Sequence, residues 1–269
     1  MKNNTIFQRC VFISISLSVL LCSFFTLSQP VSKPLVAPEP FVFMVIYAQE
    51  PPLLHSAKNS SEYRGIVPDI LSEIGGRLNL DISYLPTSRN KMESALLDGT
   101  GDALYLAPEW IKNPSKLIFS EPIMKHEEFL YSLKPFSSED NAEEWLKDKL
   151  ICLREDFIYP VIQTFIDKGI TKRKDVSSQA PMVSMLLKGR CELIYLTGYL
   201  AEWEIKDLGA THSVFRSPKP LETTHVTIGL AKKWQPILSA LNESILEFKA
   251  KGKIEKIIQR NMQAEAEQH

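Results

Sequence analysis

The 269-residue sequence has little that marks an enzyme. No G-x-G-x-x-G follows an apolar run, and neither a G-x-x-x-x-G-K-[ST] phosphate loop nor a G-x-S-x-G nucleophile elbow occurs. Those absences remove the common dinucleotide, nucleotide and serine-hydrolase frameworks. They leave acid–base chemistry open, since that needs only dispersed carboxylates. Histidine is scarce: His55, His126, His212, His225 and His269 form no H-x-x-x-H pair. With only Cys152 and Cys191 beyond residue 28, a structural zinc site lacks its ligands, and no cofactor is expected. Charge of one sign is lacking too. Lys+Arg number 31 against 32 Asp+Glu, and no block of five like charges appears, so nothing calls for nucleic acid or an anionic membrane surface.

Long apolar runs are missing except at the start. Residues 11–27 (VFISISLSVLLCSFFTL) are uncharged, and Lys2 and Arg9 precede them. Thr26 and Ser28 place small residues at −3 and −1 of a cut before Gln29. Residues 1–28 therefore read as an export signal, with a periplasmic protein behind it. An uncleaved anchor is the alternative, because the run is near the lower limit of roughly 17 residues for a spanning helix. Cys22 follows Leu20-Leu21, where lipid attachment wants a small residue, which disfavours a lipoprotein. Cys152 and Cys191 sit in or beside apolar strand-like runs. An oxidising compartment would allow a disulfide, but that setting favours small buried thiols.

Residues 29–40 (QPVSKPLVAPEP) hold four prolines and read as a linker. Strands and helices then alternate. Strand-like runs occur at 41–47, 80–85, 102–107 and 127–133, and again at 150–154, 191–196 and 225–231. Helical patterns lie between them. Pro68 opens one with Ile70, Leu71, Ile74 and Leu78 on a single face, although Gly75-Gly76 weakens it. Residues 234–250 carry the clearest stripe, and 253–262 form a last short helix. Such alternation predicts largely parallel sheets in two α/β lobes with a cleft between them. Ligands of such sheets bind outside the carboxyl ends of the strands.

Six short motifs in order carry a resemblance. Gly65-Ile66-Val67-Pro68-Asp69-Ile70-Leu71 resembles "G-x-x-x-D-[IL]", and Gly99-Thr100-Gly101-Asp102-Ala103 resembles "G-x-x-D-A". Phe119-Ser120-Glu121-Pro122-Ile123 resembles "F-S-x-P-Y", and Leu146-Lys147-Asp148-Lys149 resembles "L-K-G-K". Gly189-Arg190-Cys191-Glu192 resembles "G-R-V-D", and the stretch from Gly252 resembles "G-x-[LI]-x-K-I". The set is similar to periplasmic solute-binding proteins of family 3, the polar-amino-acid-binding class. The resemblance implies a type II periplasmic-binding fold: lobe 1 from 41–131 and 226–269, and lobe 2 from 132–225. It also implies two crossing strands, a monomer, a small-molecule ligand, and an ABC permease or a membrane sensor as partner.

The family's ligand clamps are altered. Asn113 stands where the carboxylate-binding Arg is expected, and Thr197 where the ammonium-binding Asp is expected. Glu155-Asp156-Phe157 replaces the "x-G-[ST]" turn. The expected ligand is therefore a small polar or aromatic solute not held as the family holds amino acids. Candidate site residues are Tyr47, Glu50, Arg89, Tyr105, Trp110, Asn113, Arg154, Asp156, Phe157 and Thr197. Arg89 supplies a fork for a carboxylate, and Tyr105 and Trp110 supply flat faces. The reading is not an enzyme. Its rivals are a cyclohexadienyl-dehydratase-like enzyme using Glu50 or Asp156 as acid, and a sensor or scaffold with a degenerate cleft. His126, beside Glu127 and Glu128, reads as an exposed histidine at a strand start.

Overall fold

A computed structural model describes residues 40–46, 50–56 and 62–263. The export signal, Tyr47, and the linker apart from Pro40 fall outside the described residues. Among the described residues, no helix is long and apolar enough to cross a membrane.

The strands are β1 (Phe41–Ile46), β2 (His55–Ser56), β3 (Tyr63–Arg64), β4 (Ile82–Thr87), β5 (Ala103–Leu106) and β6 (Ile118–Phe119). They continue with β7 (Met124–Ser132), β8 (Leu150–Arg154), β9 (Lys172–Val176), β10 (Leu193–Thr197), β11 (Phe215–Arg216) and β12 (Glu222–Leu230). The helices are α1 (Ile66–Leu78), α2 (Arg89–Asp98), α3 (Ala142–Leu146) and α4 (Pro160–Asp167). After them come α5 (Met182–Leu187), α6 (Gly198–Asp207), α7 (Leu238–Ala250) and α8 (Lys253–Gln263).

The main sheet runs β4-β1-β5-β12-β7-β10-β8-β9. β4, β1 and β5 lie on one side of the central pair β12 and β7, and β10, β8 and β9 lie on the other. β1 is parallel to β4 and β5, and β8 is parallel to β9 and β10. The expectation of largely parallel sheets is corrected at the centre. There β12 is antiparallel to both β5 and β7, and β7 is antiparallel to β10. The cause is the crossing: β7 carries the chain into lobe 2 and β12 carries it back.

Local sequence explains most elements. The unbroken apolar run of β1 suits a strand flanked on both edges and covered on both faces. α1 buries Ile66, Val67, Ile70, Leu71 and Ile74, each contributing roughly 1.5–3 kcal/mol relative to exposure. Gly75 sits inside that helix because a Cβ there would come 2.9 Å from the Ile82 side chain. β9, sequence KRKDV, has no apolar alternation to announce it. It is an edge strand, where charge discourages pairing with other chains. The helical pattern from 234 starts later than expected: Lys232–Ile237 is a 3-10 helix containing Pro236, whose missing N–H delays the α-helix to Leu238. Cys152 and Cys191 form a disulfide with Cα atoms 5.8 Å apart, which corrects the free-thiol expectation. Both lie in the buried core of lobe 2. Their apolar surroundings were legible in the sequence, but the tertiary approach that pairs them was not.

Three of the six motifs hold the scaffold. Gly65 has φ 117°, and a Cβ there would lie 2.6 Å from the Pro52 carbonyl oxygen. Its absence lets Ile66 N–H donate to Pro52 O (2.9 Å) and Val67 N–H to Leu53 O (3.0 Å), docking the 50–54 loop on the start of α1. Asp69 accepts from Arg260 and Asn261, each at 2.7 Å, and ties α8 to α1. Buried Asp102 accepts from Val42 N–H at 2.8 Å and pairs with Lys233 at 2.7 Å. Ser120 Oγ accepts from Ile228 N–H at 2.9 Å.

Candidate functional site

A cavity between the lobes opens on about 670 Å³ of space free of atoms, its mouth included. Glu50, Arg89, Tyr105, Trp110, Phe157 and Thr197 line it. The docked 50–54 loop presents Glu50 from lobe 1, where the bridge to Leu54 fixes its backbone (2.8 and 2.9 Å). β8 presents Arg154 from lobe 2. Glu50 and Arg154 are both buried, at 4% and 5% exposure, and their side chains form an ion pair that joins the lobes. Tyr105 completes the cluster by donating its hydroxyl to Glu50 at 2.7 Å. Burial, reinforced by the Glu50 charge, holds the Tyr105 phenol well above its ordinary range.

Phe157 is the platform beneath two cations. The Arg154 guanidinium lies 4.4 Å from its ring centroid and that of Arg89 lies 5.8 Å away, a geometry that favours cation–π attraction. Arg89 begins α2 and donates to the Trp110 carbonyl at 2.5 Å. Burial pushes its guanidinium below its ordinary value, with Glu93 pulling the other way. Arg154 is fixed further by Tyr159, whose hydroxyl accepts from its backbone N–H at 3.3 Å. This end of the cleft is cationic, aromatic and largely paired.

The other end lies on the crossing strands. Register sets Thr197, Glu128 and Glu222 in one row across β10, β7 and β12, and sets His126 opposite Thr224 in the adjoining row. Directly opposed residues in a sheet share a face, so these side chains share one. Thr197, Glu128 and His126 line the cavity. His126 Nε2 lies 3.5 Å from Glu128 Oε1, and its ring meets Trp110 edge-on at 4.8 Å. The exposed-histidine expectation is thus corrected: His126 is only 8% exposed, because the edge of Trp110 covers it. Glu222 is pushed up to about 7, first by burial and then by the facing Glu128 and by Glu109, against an opposing pull from His126.

Asn113, Arg154 and Asp156 are not among the residues that line this cavity, although Arg154 meets it through Glu50 and Phe157. Asn113 is exposed and turns to Glu93, which accepts from its side chain at 2.7 Å and its backbone at 2.9 Å. Asp156 is exposed with φ 62°. It takes the left-handed turn where the family pattern has Gly, as does Asp148 with φ 59°. Asn113 and Asp156 line an outer groove together with Arg89 and Phe157. Sequence reasoning did not single out Glu128, Glu222, Thr224 or Gln179 as cleft candidates. The only available signal was polar residues at alternate positions of the strands at 124–132 and 222–230. Among the described residues, no group of His, Cys, Asp and Glu could hold a metal ion.

Comparison with known proteins agrees with this architecture. No curated protein matches the chain. The substrate-binding protein of an amino acid ABC transporter superposes with a TM-score of 0.65 at 19% identity, covering 83% of this chain and 99% of that one. A substrate-binding protein from Streptococcus pneumoniae with bound histidine superposes with a TM-score of 0.67 at 17% identity, covering 82% and 92%. An ancestral amino-acid-binding protein, precursor of cyclohexadienyl dehydratase, gives 0.67 at 16% identity, covering 83% and 96%. At these identities the likeness shows the fold: two lobes, two crossing strands and a cleft. The family of bacterial extracellular solute-binding proteins, family 3, matches residues 43–264, and the chain belongs to that family.

Proposed function

We propose that this protein is a periplasmic solute-binding protein that closes on a small polar or aromatic solute and presents it to an ABC permease. We further propose that the solute is not a standard amino acid held in the family's usual manner. The observation that carries this reading is the Arg154–Glu50 pair across the cleft, with Arg89 and the Phe157 ring beside it. Glu50 offers Arg154 the same chemistry as a ligand carboxylate, so a solute anion can exchange with it. The altered positions support the second half. Asn113 is engaged by Glu93 outside the cavity, and Thr197 brings a hydroxyl in place of a carboxylate.

A thermal-shift screen of organic acids, aromatic acids, amines and amino acids tests it. A bound solute at 100 times its dissociation constant adds about 2.7 kcal/mol. The expected result is stabilisation by carboxylate-bearing solutes that Arg89→Ala abolishes. No stabilisation by any class would overturn the reading in favour of a scaffold.

A second reading is enzymatic, and the Tyr105–Glu50 hydrogen bond inside the cleft favours it, because it fixes the orientation of a carboxylate that could take up a proton there. Incubation with prephenate separates the two. Unchanged prephenate keeps the binding reading, and its loss with release of carbon dioxide replaces it.

A further inference from the structure

Lobe 2 carries positive charge that its own carboxylates do not answer. Residues 168–190 hold the basic side chains Lys168, Lys172, Arg173, Lys174, Lys188 and Arg190, and Asp175 as their one acidic residue. Asp175 is taken by Arg173 at 2.6 Å. Lys168, Lys172, Lys174, Lys188 and Arg190 are exposed, and none of them has an ion pair among the described residues. Other cations of this lobe do: Lys149 pairs with Glu192 and Arg216 with Glu202.

The fold gathers what the sequence scatters. Residues 176–187 are uncharged and separate the two halves of the set, so no block of like charges marks it. Lys172 and Lys174 are alternate residues of β9 and share one of its faces. Lys174 Nζ donates to the Arg190 carbonyl at 3.4 Å, which sets the turn between α5 and β10 beside the strand. Cys152 stands opposite Lys174 in the register of β8 and β9, and its disulfide to Cys191 holds the residue after Arg190 at the same place. Register also places Lys172 opposite Leu150, at the start of β8, and Val176 opposite Arg154, at its end. The basic face therefore lies at the end of the lobe 2 sheet remote from Arg154 and the cleft.

The partner's chemistry follows from the patch. Four of the five unpaired cations are lysines, point charges that lack the planar fork with which Arg reads a single carboxylate. No aromatic residue occurs in 168–190 to stack a nucleobase. Leu187, 36% exposed, stands beside Lys188 and adds apolar reach. Spread point charges with an apolar side chain among them fit many anions arrayed over hydrocarbon rather than one anionic ligand.

We propose that this face of lobe 2, formed by Lys172, Lys174, Lys188 and Arg190 with Leu187, docks the protein on an anionic phospholipid surface. The contact leaves the cleft free and does not depend on what the cleft binds. Each cation brought to such a surface raises partitioning about fivefold. The attraction fades over roughly 8 Å at physiological ionic strength, so it is reversible and salt-sensitive.

The test mixes full-length protein with vesicles of phosphatidylcholine alone, or of phosphatidylcholine with phosphatidylglycerol, and reads the bound fraction by sedimentation at low and physiological salt. Wild type is compared with Lys172→Gln/Lys174→Gln, with Lys188→Gln/Arg190→Gln, and with a control on α7 and α8, Lys249→Gln/Lys256→Gln. All carry the same N-terminus, so any contribution of its apolar run cancels. The expected result is binding that needs phosphatidylglycerol and weakens with salt. Each patch variant should lower partitioning roughly ten- to thirtyfold, and the control should match wild type. Thermal midpoints of the patch variants should match wild type too, which separates lost docking from lost folding. Leu187→Ser should lower vesicle binding while leaving retention on heparin unchanged. Equal binding to both vesicle types, or anionic binding that the patch variants leave unchanged, overturns the inference. Retention on heparin or polyglutamate with no binding to anionic vesicles also overturns it, and assigns the face to a soluble polyanion.

Discussion

At the outer end of the cleft, Glu50, Arg154 and Tyr105 satisfy one another, and Arg89 has the Trp110 carbonyl. At the other end, the hinge floor, Thr197, Thr224, His126 and Glu222 each keep a buried atom without a partner. The two ends differ in kind. An incoming anion at the first must exchange with an existing partner, so its net gain is small. The second carries a deficit, because each unsatisfied buried group costs about 1–3 kcal/mol. Interlobe closure should therefore be set at the outer end.

The largest expected effect breaks the outer end. Arg154→Ala leaves the Glu50 carboxylate buried with only the Tyr105 hydroxyl, and urea unfolding should show a loss of about 3–5 kcal/mol. Adding Glu50→Gln to the same chain should recover most of it. Next in size is a control distant from both ends. Replacing Cys152 and Cys191 with Ala should cost roughly 2–4 kcal/mol in the same assay and leave solute preference unchanged. A smaller effect reads the floor through pH. Glu222 is raised from 4.5 to about 7 by burial, Glu128 and Glu109, with His126 opposing. Across that interval the folded chain holds more protons than the unfolded one, so this carboxyl makes stability fall as pH rises. Thermal midpoints should show that decline in the wild type, and Glu222→Gln should flatten it. A Glu222→Gln protein with the same slope would place the titration elsewhere. The smallest effect concerns Asn113→Ala, which removes an exposed hydrogen bond to Glu93 and should cost about 1 kcal/mol or less without altering affinity. A tenfold loss of binding would return Asn113 to the site.

Much of the scaffold was legible because its motifs are local. The strings around Gly65, Asp69, Asp102 and Ser120 are short enough for spacing to expose them, whereas the partners they hold, Arg260, Val42 and Ile228 among them, lie far away in sequence. The clamp pair was half legible. Arg154 ends β8 and Glu50 lies in the loop beyond β1, but their meeting depends on both lobes. The hinge floor was legible only at Thr197. Glu222 and Glu128 are far apart in sequence, and only the register of two crossing strands sets them opposite. Isolated polar residues in strands such as Glu222–Leu230 look like solvent-facing positions until a second strand covers them. The charged β9 was missed because an edge strand need not alternate.

The Glu50–Arg154 pair has one more consequence. Glu50 is tethered inside the cleft, so it is a competitor that dilution cannot remove, with an effective concentration on the order of millimolar or above. On the proposed reading, a solute anion would engage Arg154 only in the fraction of molecules where Glu50 has let go, and its apparent affinity would be lowered by that fraction. Sparse or weakly matched anions leave the internal rival in place. The cleft then has a response threshold written into its own chain, set by one carboxylate and adjustable by one substitution.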